Sequence, residues 1–159
     1  MATYEHESWV HAPLDDVWAF HDGVAGLVAL TPDWMRMRVE RVTGPDGVSD
    51  PDVLDVGSRV ELSVRPFGVG PRQHTTSEIV ARERDGGTAY FRDVMVDGPF
   101  PEWEHTHVFY GDGDRTLCRD RLRYRTPTGP FAPFGDRAAM PGFEVFFRAR
   151  HRRLRERFS

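Results

Sequence analysis

The sequence predicts an α+β domain: an antiparallel strand meander packed against one long C-terminal helix, with two short helices after the first strand. Three observations carry this. Hydrophobic residues recur with period two through most of residues 35–125, the signature of half-buried strands. The strand candidates are separated by short stretches rich in Gly, Pro and Asp, and short connections join antiparallel neighbours. The last part of the chain switches to helical spacing, with Phe143, Phe146, Phe147, Leu154 and Phe158 on one side.

The elements follow in order. "YEHESWVHA" (Tyr4 to Ala12) reads as a strand, and its pattern leaves open whether His6, Ser8 and Val10 or Glu7 and Trp9 face inward. "PLDDVWAFH" reads as a helix start: Pro13 suits the first turn, and Asp15 and Asp16 suit the positive end of the helix dipole. Gly23 breaks that helix, and "VAGLVAL" forms a second one that Thr31-Pro32 ends. "WMRMRVERV" alternates Met35, Met37 and Val39 against Arg36, Arg38 and Glu40, and reads as a strand throughout. "SRVELSV", "HTTSEIVARE", "TAYFRDVMV", "WEHTHVFY" and "TLCRDRLRY" continue the series. "FEVFFRARHRRLRERF", from Phe143, is the long helix. A curved sheet around one helix leaves a cavity wherever the helix does not fill the concavity, and such cavities are natural small-ligand sites.

Composition narrows the function classes. At 159 residues the chain fits one domain, spanning 1–159. A domain of this size buries roughly 70% of its unfolded surface, enough for a core. No stretch approaches the ~18 apolar residues of a membrane span, so stable membrane insertion is not expected. The N-terminus lacks the blocks of a secretion signal, and the single Cys118 excludes an internal disulfide, so a cytoplasmic protein is expected. Cys118 itself reads as a small buried side chain. All 21 basic residues are Arg, and the net charge is −4. The final helix carries six arginines, at 148, 150, 152, 153, 155 and 157, read as the solvated side of a half-buried helix. With the chain acidic overall, no nucleic-acid partner is expected. No cofactor motif is present, and the sequence sets no oligomeric state.

The stretch "EWEHTHVFYGDGDRTLCRDRLRY" holds the candidate chemistry. Arg119, Arg121, Arg123 and Arg125 share one face of their strand and belong in water, so Asp120, Leu122 and Tyr124 point inward. In the strand before it, Trp103, His105, His107 and Phe109 form the inward face. A hairpin turn centred on Asp112-Gly113 sets His105 opposite Asp120, Glu104 opposite Arg121 and Glu102 opposite Arg123. Asp93, sharing a face with Phe91 and Met95, is a further member of this polar cluster.

Four uses of the cluster stand open. His105 and His107, with Asp120 as third ligand, are weak metal candidates that no second motif completes. His105 with Asp120 could act as an oriented acid/base pair. The cluster could hold the polar group of an otherwise apolar ligand. A His–Asp pair can also merely tether two strands. His151 lies close to the apolar stripe of the last helix, where it could reach the cavity, and reads first as a core histidine. The segment from Thr126 to Gly142, with Phe131 and Phe134, reads equally as a pocket lid or a packed connector.

These residues resemble a known family. "VHAPLDDVWAF" is similar to the opening of the START-like (SRPBCC) superfamily, which includes polyketide cyclase/dehydrase-like proteins. "FRDVMVDGPFPEWEHTHVF" and "LCRDRLRYRTPTGP" resemble a subgroup of small stand-alone ligand-binding members. The resemblance covers nearly the whole chain. It implies the helix-grip fold: a seven-stranded antiparallel sheet wrapped round the C-terminal helix, the first strand pairing beside the last, and an internal cavity. It supplies no universal catalytic residue, and fold analogy alone names no reaction. The leading expectation is a carrier or sensor of a small, largely apolar molecule such as a lipid, isoprenoid or polyketide-like compound. Trp103, Phe109, Tyr124, Phe143, Phe146 and Phe147 would form the wall, and Asp93, His105, His107 and Asp120 the polar contact. The alternatives are an aromatase/cyclase-dehydratase-type enzyme using His105 and Asp120, and a protein-interaction module without a ligand.

Overall fold

The period-two segments pair into one antiparallel sheet of seven strands, in the order β1-β7-β6-β5-β4-β3-β2. The structure, a computed structural model, describes residues 1–127 and 135–159. The strands are β1 (Ala2–Val10), β2 (Arg38–Thr43), β3 (Arg59–Val64), β4 (Gln73–Asp85), β5 (Thr88–Asp97), β6 (Glu102–Asp112) and β7 (Arg115–Arg125). The helices are α1 (Leu14–Phe20), α2 (Val24–Leu30) and α3 (Met140–Arg157). This is the expected helix-grip arrangement, with β1 returning to pair with β7.

In β1 the face carrying Tyr4, His6, Ser8 and Val10 is the inner one, while Glu5 and Glu7 stay outside opposite Arg121 and Arg119. The outer surface of β1, β7 and β6 is a ladder of acid–arginine pairs: Glu7–Arg119 at 2.9 Å, Glu5–Arg121 at 3.4 Å, Glu104–Arg123 at 3.8 Å and Glu102–Arg125 at 3.7 Å. Each exposed pair adds little stability, but together they oppose a one-residue slip that would turn the arginines inward.

The β6–β7 register differs from expectation by two residues. His107, not His105, sits opposite Asp120; His105 faces Leu122, Glu104 faces Arg123, and Glu102 faces Arg125. The cause is turn chemistry. The two turn residues are Gly113 and Asp114, between the paired Asp112 and Arg115. Gly113 takes φ +63° while Asp114 is not among the residues with positive φ. Glycine at the first central position is the type II′ preference, whereas the expected Asp-Gly pair would suit type I′. A two-residue shift keeps every side chain on its face, so the expected burial holds while the expected pairing does not.

The stretch from Trp34 also departs from the expected strand. Residues Asp33–Met35 form one turn of 3-10 helix, Arg36 is left-handed (φ 51°), and pairing begins only at Arg38. Pro32 and Asp33 carbonyls accept the amides of Met35 and Arg36, closing a local turn. The strand period is therefore broken there, although both methionines still face the interior. Irregularities between Val39 and Arg41, Thr76 and Ser77, and Ile79 and Ala81 bend the sheet around α3.

Helix α3 starts at Met140, three residues earlier than the Phe143 of the sequence reading, with a proline in its first turn, where the missing amide hydrogen is not needed. Two apolar clusters fasten it to the sheet. Leu154 joins Val10, Leu14, Val17, Leu30, Phe109 and Cys118 at one end; Phe147 joins Tyr4, Leu122 and Tyr124 nearer the other. Between α3, the two short helices and the β2–β5 half of the sheet, the concavity stays unfilled.

Candidate functional site

The unfilled space is a cavity of about 510 Å³, within the ~300–1,000 Å³ range of small-molecule sites. Its wall is mostly apolar. Leu27 comes from α2, Met35 and Met37 from the turn before β2, Leu62 from β3, Ile79 from β4, and Phe143, Phe146 and Phe147 from α3. The charged and imidazole side chains are Asp93 on β5, His105 and His107 on β6, His21 just after α1 and Arg150 on α3; Gln73, Thr75 and Ser77 on β4 and Thr31 after α2 add neutral polar groups.

The cross-strand neighbours β5, β6 and β7 bring two histidines between two aspartates. Asp93 pairs with His105 across β5–β6, and His107 with Asp120 across β6–β7. The rings of His105 and His107 lie 3.8 Å apart between centroids, tilted by 35°, and Phe91 stacks on His107 at 4.0 Å. His105 Nε2 donates to Asp120 Oδ1 at 2.7 Å. His107 Nε2 donates to Asp93 Oδ2 at 3.2 Å, and its Nδ1 lies 3.1 Å from Asp120 Oδ1. From α3, His151 Nε2 donates to Asp120 Oδ2 at 2.6 Å, while its Nδ1 meets the Ser8 hydroxyl at 2.6 Å. Asp120 is thus the buried hub of three imidazoles, and it fixes which ring nitrogens carry protons.

Burial alone would raise the Asp120 carboxyl, but hydrogen bonds from His105, His107 and His151 outweigh it and hold the group well below its usual range. The two adjoining histidines are driven apart in pKa. Burial, then the neighbouring His107 charge, lowers His105 despite its bond to Asp120. His107 is equally buried, yet its hydrogen bonds to Asp120 and Asp93 raise it. These bonds shift His107 toward the doubly protonated form, in which it donates toward a carboxylate on each side. His105 is shifted toward the neutral form, in which its Nδ1, 4.0 Å from Asp93 Oδ2, carries the lone pair. His21 donates Nδ1–H to the Val17 carbonyl at 2.8 Å, and burial pushes it down to about 4.

The structure brings Asp93, His105, His107, Trp103, Phe143, Phe146 and Phe147 to the cavity wall. It does not bring Phe109, Asp120 or Tyr124 there. Phe109 and Tyr124 belong to the two packed clusters, and Asp120 stands behind the histidines. Phe131 and Phe134 lie outside the described residues. Among the described residues, one ligand atom from each of Asp93, His105 and His107 lies within 4.8 Å of the others, so Asp93 replaces Asp120 as the third group that could meet a metal ion. Binding there would displace the His107–Asp93 hydrogen bond. Cys118 is buried, and burial pushes its thiol up to about 12, which makes it a packing residue rather than a nucleophile.

Sequence reasoning misses the apolar wall from α2, β3 and β4, and among the cavity's charged and imidazole groups it misses Arg150 and His21. Arg150 reads as one of the solvated arginines of α3, but it is buried. Its position carries a signal: 143, 147, 150 and 154 follow the i, i+4, i+7, i+11 spacing of the buried face. His21 carries a similar signal: Leu14, Val17, Trp18 and His21 follow the i, i+3, i+4, i+7 spacing of the inward side of α1.

A seven-stranded antiparallel sheet gripping a C-terminal helix above an apolar cavity defines a helix-grip protein of the small-ligand-binding kind. More particularly, the chain belongs to the family described as polyketide cyclase / dehydrase and lipid transport, which matches residues 10–157. No curated protein matches it in sequence. Among solved structures it is similar to TTHA0849 from Thermus thermophilus, with 19% identity, a TM-score of 0.65, and coverage of 99% of this chain and 97% of that one. It is also similar to norcoclaurine synthase from Thalictrum flavum in complex with dopamine and hydroxybenzaldehyde, with 16% identity, a TM-score of 0.65, and coverage of 98% and 84%. CV1439 from Chromobacterium violaceum aligns at 14% identity with a TM-score of 0.67, covering 98% and 96%. At these identities the likeness concerns the fold. No helix among the described residues is long and apolar enough to cross a membrane.

Proposed function

We propose that the protein binds one small, largely apolar molecule in this cavity, as a carrier or sensor of a lipid, isoprenoid or polyketide-like compound. The observation that carries the reading is the open volume of about 510 Å³, walled by aliphatic and aromatic side chains from both sheet and helices. Its charged and imidazole groups, Asp93, His105, His107, His21 and Arg150, stand beside the neutral polar side chains Thr31, Gln73, Thr75 and Ser77 in an otherwise apolar wall, which suits a ligand with an apolar body and a polar region. The test is a titration with a neutral fluorescent probe, N-phenyl-1-naphthylamine, against the wild type and a Ser77→Trp variant, since Ser77 lines the cavity. Saturable one-to-one binding in the wild type and its loss in the filled variant is the expected result. Equal binding by both proteins, or none by the wild type, refutes it.

One observation favours an enzymatic second reading. His105 and His107 touch, face the cavity, and have pKa values pushed in opposite directions, the pattern of an acid and a base prepared at one pH. In an aromatase/cyclase-dehydratase-type reaction, His105 Nδ1 would take a proton, and His107 would release Asp93 and donate its Nε2 proton to a substrate oxygen. This requires a bell-shaped pH–rate profile that His105→Gln collapses; turnover that survives the substitution removes the role.

A further inference from the structure

Arg150 is the unusual group of the cavity. It lies on the buried side of α3, one turn beyond Phe146 and Phe147, and only 6% of its surface is exposed. It lines the cavity, and its guanidinium carbon stands 5.6 Å from the Phe146 ring centroid. Among the described residues it makes no salt bridge and no side-chain hydrogen bond; Asp120 and Asp93 act on it only through space. Neither acid is available to it. Asp120 is taken by His105, His107 and His151, and Asp93 by His107.

A buried, unpaired guanidinium is costly for the protein alone. It cannot shed its charge as a lysine can, because arginine keeps its proton in proteins. Its five donors form a rigid fork that matches a carboxylate through two parallel hydrogen bonds. Leu27, Phe146 and Phe147 share the cavity wall with it, so the partner must bring an apolar body with its charge. A dianion such as a phosphate monoester fits poorly, because the Arg150 guanidinium would face two added charges near Asp93 and Asp120.

We infer that the cavity selects an apolar carboxylic acid, bound as its monoanion, with the carboxylate forked by Arg150 and the apolar body lying between α3 and the sheet. This deepens the ligand-binding reading and rests on it. The predicted consequence is a preference that the apolar wall alone would reverse, since burying a carboxylate without a partner is unfavourable while burying an alcohol costs far less.

The experiment measures displacement of N-phenyl-1-naphthylamine by a matched pair, decanoate and 1-decanol, from the wild type, Arg150→Met and Arg150→Lys. In the wild type decanoate should bind more tightly than decanol by about tenfold or more, the equivalent of one charge-assisted hydrogen bond. Arg150→Met should invert the order with little change for decanol, and Arg150→Lys should restore part of the preference. Equal affinity for both compounds in the wild type, or a preference surviving in Arg150→Met, overturns the acid while leaving apolar binding standing. Probe binding that neither compound displaces also overturns it. Absence of probe binding instead removes the underlying ligand reading. The wild-type comparison needs no variant, so a misfolded substitution does not shield the inference.

Discussion

Replacing Asp120 with Asn removes the charge on which the buried network is centred and leaves the backbone untouched. Three ring N–H groups converge on this carboxylate: His105 at 2.7 Å, His151 at 2.6 Å, and His107 at 3.1 Å. An amide keeps one acceptor oxygen and turns an NH₂ toward the other donors, so at least one imidazole loses its partner. Breaking a buried, hydrogen-bonded charge network from one side costs about 3–5 kcal/mol. For a domain of this size each kcal/mol moves Tm by about 2–4 °C, which gives a fall of about 6–20 °C. The pH dependence should change with it. His107 is raised in the folded state, so its contribution is complete below its unfolded value of about 6.5 and is lost as pH rises through the raised folded value. Asp120 supplies much of that rise, so the alkaline loss of stability should shrink in Asp120→Asn. Thermal unfolding followed by circular dichroism from pH 6 to 9 measures both effects. A fall in Tm below about 2 °C, corresponding to less than ~1 kcal/mol, with an unchanged pH profile would refute the hub assignment.

Two further outcomes follow from the same geometry. His21, pushed down to about 4 by burial, is neutral in the folded protein. The unfolded chain takes up its proton first as pH falls below about 6.5, so this contribution is lost between there and pH 4, on the order of 3 kcal/mol. His21→Asn should flatten that acid limb in a Tm-against-pH series, and an unchanged limb would contradict the shift. Arg150→Met should raise the Tm of the ligand-free protein, because removing a charge that is buried and, among the described residues, unpaired stabilises by about 1 kcal/mol or more; a lower Tm in thermal melts would show that Arg150 supports the fold itself.

The strand faces are legible because a period of two needs no knowledge of partners. The four arginines of β7 place Asp120 inside, and Trp103 and Phe109 bracket His105 and His107. Pairing is less legible, because Asp112-Gly113 and Gly113-Asp114 both offer hairpin turns and a two-residue shift preserves each face. Glu104 finds an arginine in either register, so charge pairing does not arbitrate. Asp120 is expected at the cavity wall only if inward is equated with cavity-facing; the interior also has packed layers, where Asp120, Phe109 and Tyr124 reside. Arg150 is hidden by composition: five other arginines on the same helix suggest a solvated face, although its spacing matches the buried one.

The central claim is that the cavity holds a small, apolar molecule. Native mass spectrometry of the protein purified from its producing organism, with organic extraction of the same sample, tests it most directly. The account predicts a one-to-one adduct that passes into the organic phase, ionises as an acid, and is missing from Ser77→Trp prepared in the same way. An adduct retained at full occupancy by the filled variant would contradict it.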